Sequence, residues 1–320
     1  MKVLLPTSIG LDINRLGLAP EDQIVAYNPR EAIDPQHEDA DVLVAWGNAN
    51  WQLRDAATRL QNLGLVQALL AGPDQARAAG FNPGVVITSG VGLHSLTVAE
   101  HALALSLNLV RFLPTLAGHQ AQKHWASELG GLQELHPQGQ LTTLLDARVT
   151  IWGFGSIGQA TARLFAAFGA QVTGIARSAG ERAGFSVLAE SDLDKVLPET
   201  DLLVMILPQS EQTYQALGAH QLELLPSHAY LVNVGRGSTV DEAALAEALR
   251  QGSIAGAALD VTATEPLPAD DPLWEAPNLV ITPHAAGGRP VNPEALIAQN
   301  LQALRDERAG RPANWRNRMN

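Results

Sequence analysis

Short apolar runs recur along the first ninety residues, at 3–5, 24–27, 42–45, 66–69 and 85–88, with polar helical stretches such as 52–62 between them. Pro29, Pro35 and Gly72-Pro73 punctuate the alternation. Strands alternating with helices predict parallel βα units in an open sheet. The pattern resumes with an apolar run from Val149 to Trp152, then at 171–175, 202–206, 229–234, 256–259 and 279–282. A helix is expected over 241–251, entered through Val240 and left at Gly252, and a last one over 294–307. The tail 311–320 is polar and is expected to be partly loose. Between the two series, Thr97-Val-Ala-Glu100 has capping-box spacing and predicts a helix from Thr97 to about Phe112. Ala102, Leu103, Leu105, Leu107, Leu109 and Val110 make it apolar nearly all round, so it is expected to be buried between domains or subunits. Residues 114–147, with Trp125, Gly130-Gly131 and Pro137-x-Gly139, are read as an extended connecting arm that packs on a partner chain.

The run ending at Trp152 enters Gly153-Phe-Gly-Ser-Ile-Gly158, and a helical pattern (Ala160, Leu164, Phe165, Phe168) follows. Strand, G-x-G-x-x-G and helix together are the context a dinucleotide loop requires. Gly153 permits the tight turn, Gly155 lets a pyrophosphate approach the backbone, and Gly158 allows close helix–strand packing. The helix N-terminus, opening at Ser156 and Ile157, turns its free N–H groups and dipole toward phosphate.

At 320 residues the chain is long enough for two domains. With 21 basic and 33 acidic side chains its net charge is −12, which argues against a nucleic-acid surface. The absence of cysteine excludes disulfides, thiolate nucleophiles and cysteine metal sites. The N-terminal apolar run is too short for a signal peptide and no stretch reaches membrane-spanning length, so no membrane association and a cytoplasmic location are expected. No H-E-x-x-H or comparable cluster appears, hence no metal is expected. No G-x-S-x-G elbow supports a serine hydrolase.

Ligands bind beyond strand ends in open α/β sheets, so those positions carry the chemistry. The second strand of a dinucleotide domain usually ends in an acid that binds the ribose hydroxyls of NAD. Here that position is Ala176, followed by Arg177 and Ser178. A missing acid and an arginine favour NADP(H) over NAD(H), through charge-assisted bonding to a 2′-phosphate. Three further strand ends carry polar groups: Asn233-Val-Gly-Arg-Gly237, Asp260 to Pro266, and Thr282-Pro-His284. Arginine to grip a carboxylate, histidine to hand over a proton and glutamate to hold the imidazolium are what hydride transfer to a 2-oxo acid needs.

These segments resemble the D-isomer-specific 2-hydroxyacid dehydrogenase family over nearly the whole chain. The matching motifs are Gly153-Phe-Gly-Ser-Ile-Gly158, Leu207-Pro-Gln-Ser-Glu-Gln-Thr213, Asn233-Val-Gly-Arg-Gly237 with Val240-Asp241, Leu259-Asp-Val261 with Glu265-Pro266, Thr282-Pro-His284, and Thr97-Val-Ala-Glu-His-Ala102. The resemblance implies an α/β protein of two open, mainly parallel, doubly wound domains. Residues 1–96 and 290–320 would form a discontinuous flavodoxin-like substrate domain. Residues 97–289 would form the Rossmann-type nucleotide domain, with 114–147 as the arm of a homodimer. It implies catalysis by Arg236, Glu265 and His284. Nucleotide contacts would come from the glycine loop, Arg177, Ser178, Leu207, Pro208, Thr213, Val234, Gly235, Arg236, Asp260 and His284, with Asp260 holding the nicotinamide carboxamide. Substrate would meet Arg236, His284 and the backbone at Ala71 and Gly72; Pro73 departs from the family pattern there, since it contributes no N–H.

The expected activity is NADP-preferring reduction of a small 2-oxo acid such as glyoxylate or hydroxypyruvate. A phosphoglycerate dehydrogenase is disfavoured, because segments 44–51 and 69–75 carry no Lys or Arg for a phosphate and no regulatory domain follows the last helix. A non-catalytic NAD(P) sensor or corepressor would be free to lose Arg236, Glu265 and His284. His101 reads as structural, His37, His119, His124 and His220 as surface, and His94 as lying near the substrate segments. The direction taken by Trp46 and Trp51 is left open.

Overall fold

The computed structural model describes every residue except Pro73, and of Asp74 only the backbone. The substrate-loop departure expected at Pro73 therefore lies outside the described residues. The chain forms two compact units, unit 1 of Met1–His94 with Gly288–Asn320 and unit 2 of Ser95–Gly287.

Unit 1 is a five-stranded parallel sheet of β1 (Lys2–Pro6), β2 (Gln23–Tyr27), β3 (Val42–Ala45), β4 (Leu65–Ala68) and β5 (Val86–Thr88), in the order β2-β1-β3-β4-β5. Strands β3 and β4 are buried at every position, because helices cover both faces of a parallel sheet. The period of two sends Leu4, Leu43 and Val66 to one face, where Leu53 and Ala56 of α1 (Asn50–Arg59) meet them. Val3, Val42 and Leu65 point the other way, onto Leu296, Ile297, Leu301 and Leu304 of the C-terminal helix (Pro293–Arg308). The last helix thus completes the first sheet, each buried leucine or isoleucine contributing about 1.5–3 kcal/mol. A short α2 (Asp74–Ala78) follows β4.

The tail, expected to be loose, is bonded along β5. Ser89 N–H donates to the Asn317 carbonyl at 3.0 Å and Met319 N–H to that of Ile87 at 2.9 Å. Buried Asn300 donates to Gln67 Oε1 at 2.6 Å and the Arg316 carbonyl at 3.1 Å, and accepts the Arg316 N–H at 2.9 Å. An edge strand needs its unpaired groups covered, and a polar segment is suited to do so.

Unit 2 is an eight-stranded sheet of β6 (Arg148–Trp152), β7 (Gln171–Ala176), β8 (Gly180–Arg182), β9 (Phe185–Ala189), β10 (Leu202–Met205), β11 (Tyr230–Asn233), β12 (Gly256–Leu259) and β13 (Leu279–Ile281). Its order, β13-β12-β11-β10-β6-β7-β9-β8, contains the 3-2-1-4-5-6 arrangement of a Rossmann sheet. Only β8 pairs antiparallel, in a hairpin with β9 that the sequence reading missed. Its turn is Ala183-Gly184, both with positive φ, and lacks the Asn-Gly or Asp-Gly signal of such turns.

The helices of unit 2 are α3 (Ser95–Val110), α4 (Leu113–Ala121), α5 (Ser156–Ala167), α6 (Leu193–Val196), α7 (Ala219–Leu224) and α8 (Glu242–Gln251); the C-terminal helix is α9. Helices α3 and α5 share one apolar layer with the sheet through Leu105, Leu109, Ala162 and Phe165. Helix α8 covers the other face through Leu245, Ala246 and Leu249. Two expectations are corrected here. Helix α3 starts at Ser95, so Thr97 is inside it rather than at its cap. The arm is not uniformly irregular: Phe112, in the left-handed region at φ 53°, bends the chain by 61° into α4. Among the described residues no single helix is long and apolar enough to cross a membrane.

Asp201 ties together the starts of β6, β10 and β11. It accepts the Arg148 backbone N–H at 2.7 Å, the Arg148 guanidinium at 2.7 Å and His228 Nε2 at 2.9 Å. Burial pushes its carboxyl up, but the bonds from Arg148 and His228 outweigh that and hold it below the ordinary range. A carboxyl lowered in the folded state adds stability above the unfolded pKa, and that contribution is lost as pH falls through the folded value. Asp201→Asn is therefore expected to melt below wild type at pH 7, with the gap closing as pH falls below the ordinary carboxylate range. Thermal melts across that range check it; a gap independent of pH contradicts it.

Candidate active site at the strand ends of unit 2

The glycine loop leaves β6 at the switch point between β6 and β10, where ligands bind in such sheets. Gly153 has φ 106°, and a Cβ there would lie 2.5 Å from the Ile206 carbonyl oxygen. At Gly158 a Cβ would lie 2.4 Å from the Gly153 oxygen, so α5 packs closer to the loop than any side chain permits. Gly155 is the N-cap of α5, and a Cβ there would meet nothing within 4 Å. The N-terminus of α5 thus opens beside a bare glycine, the kind of helix end whose free N–H groups suit phosphate oxygens. The residues fit a dinucleotide.

Beyond β7, Arg177 and Ser178 are both exposed. Arg182, on the unforeseen β8, reaches back and donates to Ser178 Oγ and to its carbonyl, both at 2.9 Å. Two guanidinium groups rather than one therefore stand at the end of β7. The local signal was the Arg-Ala-Gly turn, legible only once the hairpin is known.

The next strand ends interlock through their backbones. Leu207 is buried, and a Cβ on Gly235 would lie 2.7 Å from the Leu207 nitrogen and oxygen. Thr213 Oγ1 donates to the Pro208 carbonyl at 2.6 Å and closes that loop on itself. Val234 N–H bonds to the Met205 carbonyl, and Asn233 accepts the Gly235 N–H and donates to the Arg236 carbonyl. A Cβ on Gly237 would fall 1.9 Å from the Thr262 carbonyl carbon, so the arginine loop and the glutamate loop touch through backbone alone. The described hydrogen bond of the Arg236 guanidinium is to the Gly235 carbonyl, at 2.7 Å.

His284 Nδ1 and Glu265 Oε2 are 2.8 Å apart, both side chains more than a third exposed. The Glu265–Pro266 peptide is cis, and His284 sits at φ 52°. Glu265 Oε1 also accepts the Thr262 N–H at 3.2 Å. Glu242, which the sequence reading passed over, accepts the Ala263 N–H at 2.7 Å. Burial raises its carboxyl above the ordinary range, and the Asp271 and Glu265 charges add to the effect against that backbone bond.

Asp260 is buried and committed to the histidine segment. Its carboxylate accepts Thr282 Oγ1 at 2.6 Å, the Ala285 N–H at 2.8 Å and the Ala286 N–H at 3.0 Å, with His101 Nε2 at 3.2 Å. Its own carbonyl receives the His284 N–H at 2.8 Å. The structure thus shows this aspartate organising the turn that carries His284, and His101 joins the knot through Thr282 at 3.1 Å.

In unit 1, Ala71 and Gly72 follow β4 and are both half-buried. On the arm, the turn at Lys123 (φ 56°) brings His119, His124 and Glu128 together, their ligand atoms within 4.8 Å of one another.

Hydrogen bonds to a charged acceptor contribute about 1.5–3 kcal/mol each. In Asp260→Asn the Ala285 and Ala286 amides are therefore expected to exchange hydrogen about ten- to a hundredfold faster. Unchanged exchange at these two amides contradicts the account of the knot.

Residues 103–286 match the family described as D-isomer specific 2-hydroxyacid dehydrogenase, NAD binding domain. The chain is 34% identical over 230 residues to a glyoxylate reductase of Korarchaeum cryptofilum, an alignment covering 69% of this chain and 67% of that protein. It superposes with a TM-score of 0.81 at 28% identity on a crystal structure of a D-isomer specific 2-hydroxyacid dehydrogenase family protein from Aeromonas salmonicida, covering 100% of this chain and 98% of that one. A D-isomer specific 2-hydroxyacid dehydrogenase from Xanthobacter autotrophicus, solved in complex with NADPH and MES, gives a TM-score of 0.76 at 30% identity, covering 100% and 97%.

Proposed function

Because the chain belongs to the D-isomer specific 2-hydroxyacid dehydrogenase family, we propose that it reduces a small 2-oxo acid, glyoxylate or hydroxypyruvate, to the D-2-hydroxy acid with NADP(H) in preference to NAD(H). The observation that carries this reading is the 2.8 Å pair of His284 Nδ1 and Glu265 Oε2, set at neighbouring strand ends beside the Arg236 loop. The glyoxylate reductase activity named for the Korarchaeum relative and the NADPH bound to the Xanthobacter protein support it.

The bound nicotinamide supplies the hydride. Gly153, Gly155, Ser156, Ile157 and Gly158 hold the pyrophosphate, and Leu207, Pro208, Thr213, Val234 and Gly235 line the path toward the reacting ring. Arg177 and Ser178, joined by Arg182, receive the 2′-phosphate. Asp260 acts through its hold on the His284 turn, and any contact with the carboxamide falls to the lone pair its protein bonds leave free. Arg236 and the backbone at Ala71 and Gly72 bind the substrate carboxylate. Glu265 occupies Nδ1, which fixes the ring and leaves Nε2 as the atom that gives a proton to the oxygen formed at C2. In the reverse direction the same nitrogen takes the proton back.

His284→Ala is expected to lower kcat about 10²–10⁴-fold for glyoxylate reduction, the usual effect of losing a placed acid. Arg236→Lys is expected to raise KM sharply, because an ammonium does not reproduce the planar fork. Steady-state kinetics on both variants test the assignment, and near-wild-type turnover in His284→Ala overturns it. The double substitution Arg177→Ala, Arg182→Ala is expected to weaken NADPH at least ten- to a hundredfold while sparing NADH. Equal loss for both cofactors, or a wild type that prefers NADH, removes the NADP assignment.

We also infer a homodimer. The arm exposes Trp125 at 89% and Leu132 at 106%, alongside Leu113, Leu116, Leu129 and Leu135, an apolar set that a second copy would cover. Sedimentation at micromolar concentration should show a dimer, and Leu132→Asp should weaken it; a wild-type monomer contradicts the inference.

A further inference from the structure

Unit 1 has a crevice of its own at the place where its topology favours a ligand. In an open parallel sheet that place is beyond the strand C-termini, where neighbouring strands send their connections to opposite faces. In the order β2-β1-β3-β4-β5 it lies between β1 and β3. A cavity of about 620 Å³ opens there, lined by Ser8, Ile9 and Gly10 after β1, by Trp46 after β3, and by Arg15 and Glu294. Ser8 Oγ donates to the Trp46 carbonyl at 2.6 Å and ties the two strand ends across the switch point.

One wall of this crevice is coupled to the segment read as the substrate-carboxylate loop. The Trp46 ring stacks on His94 with centroids 5.6 Å apart and planes within 10°. His94 Nε2 lies 2.8 Å from the Leu69 carbonyl, two residues before Ala71. Gly90 packs under the same carbonyl, where a Cβ would come within 2.1 Å of the Leu69 oxygen. Burial pushes the His94 imidazole below its ordinary range, against the pull of the Leu69 carbonyl.

The charges in the crevice are unequally committed. Glu294 is buried, accepts the Asp12 N–H at 3.2 Å, and stands in the first turn of α9, where the helix dipole favours a carboxylate. Arg15 is exposed and gives one hydrogen bond, to Asn292 Oδ1 at 2.5 Å; among the described residues it has no carboxylate partner. A guanidinium carries five donors. In a chain of net charge −12, an arginine without a carboxylate, facing the switch point, is an unused anion site.

We propose that this crevice is the subsite for the far end of the oxo acid, and that Arg15 selects substrates carrying a second carboxylate there. The proposal rests on the reading of the chain as a 2-oxo acid reductase. Adjacent strands are about 4.8 Å apart, so the loop after β4 and the middle of the β1/β3 gap are separated by one and a half spacings, about 7 Å. A five- or six-carbon 2-oxo dicarboxylic acid spans that separation, whereas glyoxylate has no tail to place there.

The test compares 2-oxoglutarate with 2-oxovalerate, acids of equal chain length that differ in the terminal carboxylate. The full-length protein is assayed for kcat/KM on both, with glyoxylate as the reference substrate, in wild type, Arg15→Gln and Arg15→Lys. Wild type is expected to favour 2-oxoglutarate about ten- to a hundredfold. Arg15→Gln should abolish that ratio through KM, and Arg15→Lys should restore part of it. A wild type that turns over glyoxylate yet treats the two longer acids alike, or an Arg15→Gln variant that keeps the ratio, overturns the tail subsite alone. A wild type inactive on all three acids overturns the reductase reading and this proposal with it.

Discussion

The buried carboxylate of Asp260 is the constraint on which the candidate active site depends. It ends β12, and through Thr282 and the N–H groups of Ala285 and Ala286 it dictates the path of the segment leaving β13. That segment must turn sharply enough to place His284 at φ 52°, a conformation that side-chain-bearing residues adopt only when their surroundings enforce it. With the backbone so fixed, the imidazole meets Glu265, itself positioned by the Thr262 N–H. The position of the His284 ring thus depends on a carboxylate one layer behind it.

The same site needs loops that approach one another as bare backbone. Gly237 against Thr262, Gly235 against Leu207 and Gly153 against Ile206 each leave no space for a methyl group. These contacts join the ends of β6, β10, β11 and β12 in a continuous chain. A substitution at any of them acts on several loops together, since the clash is with backbone rather than with a side chain able to move.

Much of the α/β architecture was legible because it rests on patterns with a simple period. Apolar runs of strand length separated by helices give parallel sheets, and the glycine loop marks the start of the nucleotide-type sheet. What escaped the sequence was decided by surroundings. The hairpin of β8 and β9 turns at Ala183-Gly184, without a strong turn signal, so Arg182 was not seen beside Ser178. The tail is polar because it covers a strand edge, and polarity alone reads as disorder. Helix α3 starts at Ser95, two residues before the capping pattern at Thr97. Among the site residues, the pairing of His284 with Glu265 followed from chemistry expected at strand ends. The bonding of Asp260 to Thr282, Ala285 and Ala286 did not, since these are ordinary residues whose N–H and O–H groups matter only in place.

The central claim is that this chain moves a hydride to C2 of a 2-oxo acid with control of configuration. The direct measurement is reduction of hydroxypyruvate with NADPH carrying deuterium at the transferable C4 position, followed by magnetic resonance and chiral analysis of the product. The account predicts glycerate with one deuterium at C2 and the D configuration. Glycerate without deuterium at C2, or of L or mixed configuration, would contradict it.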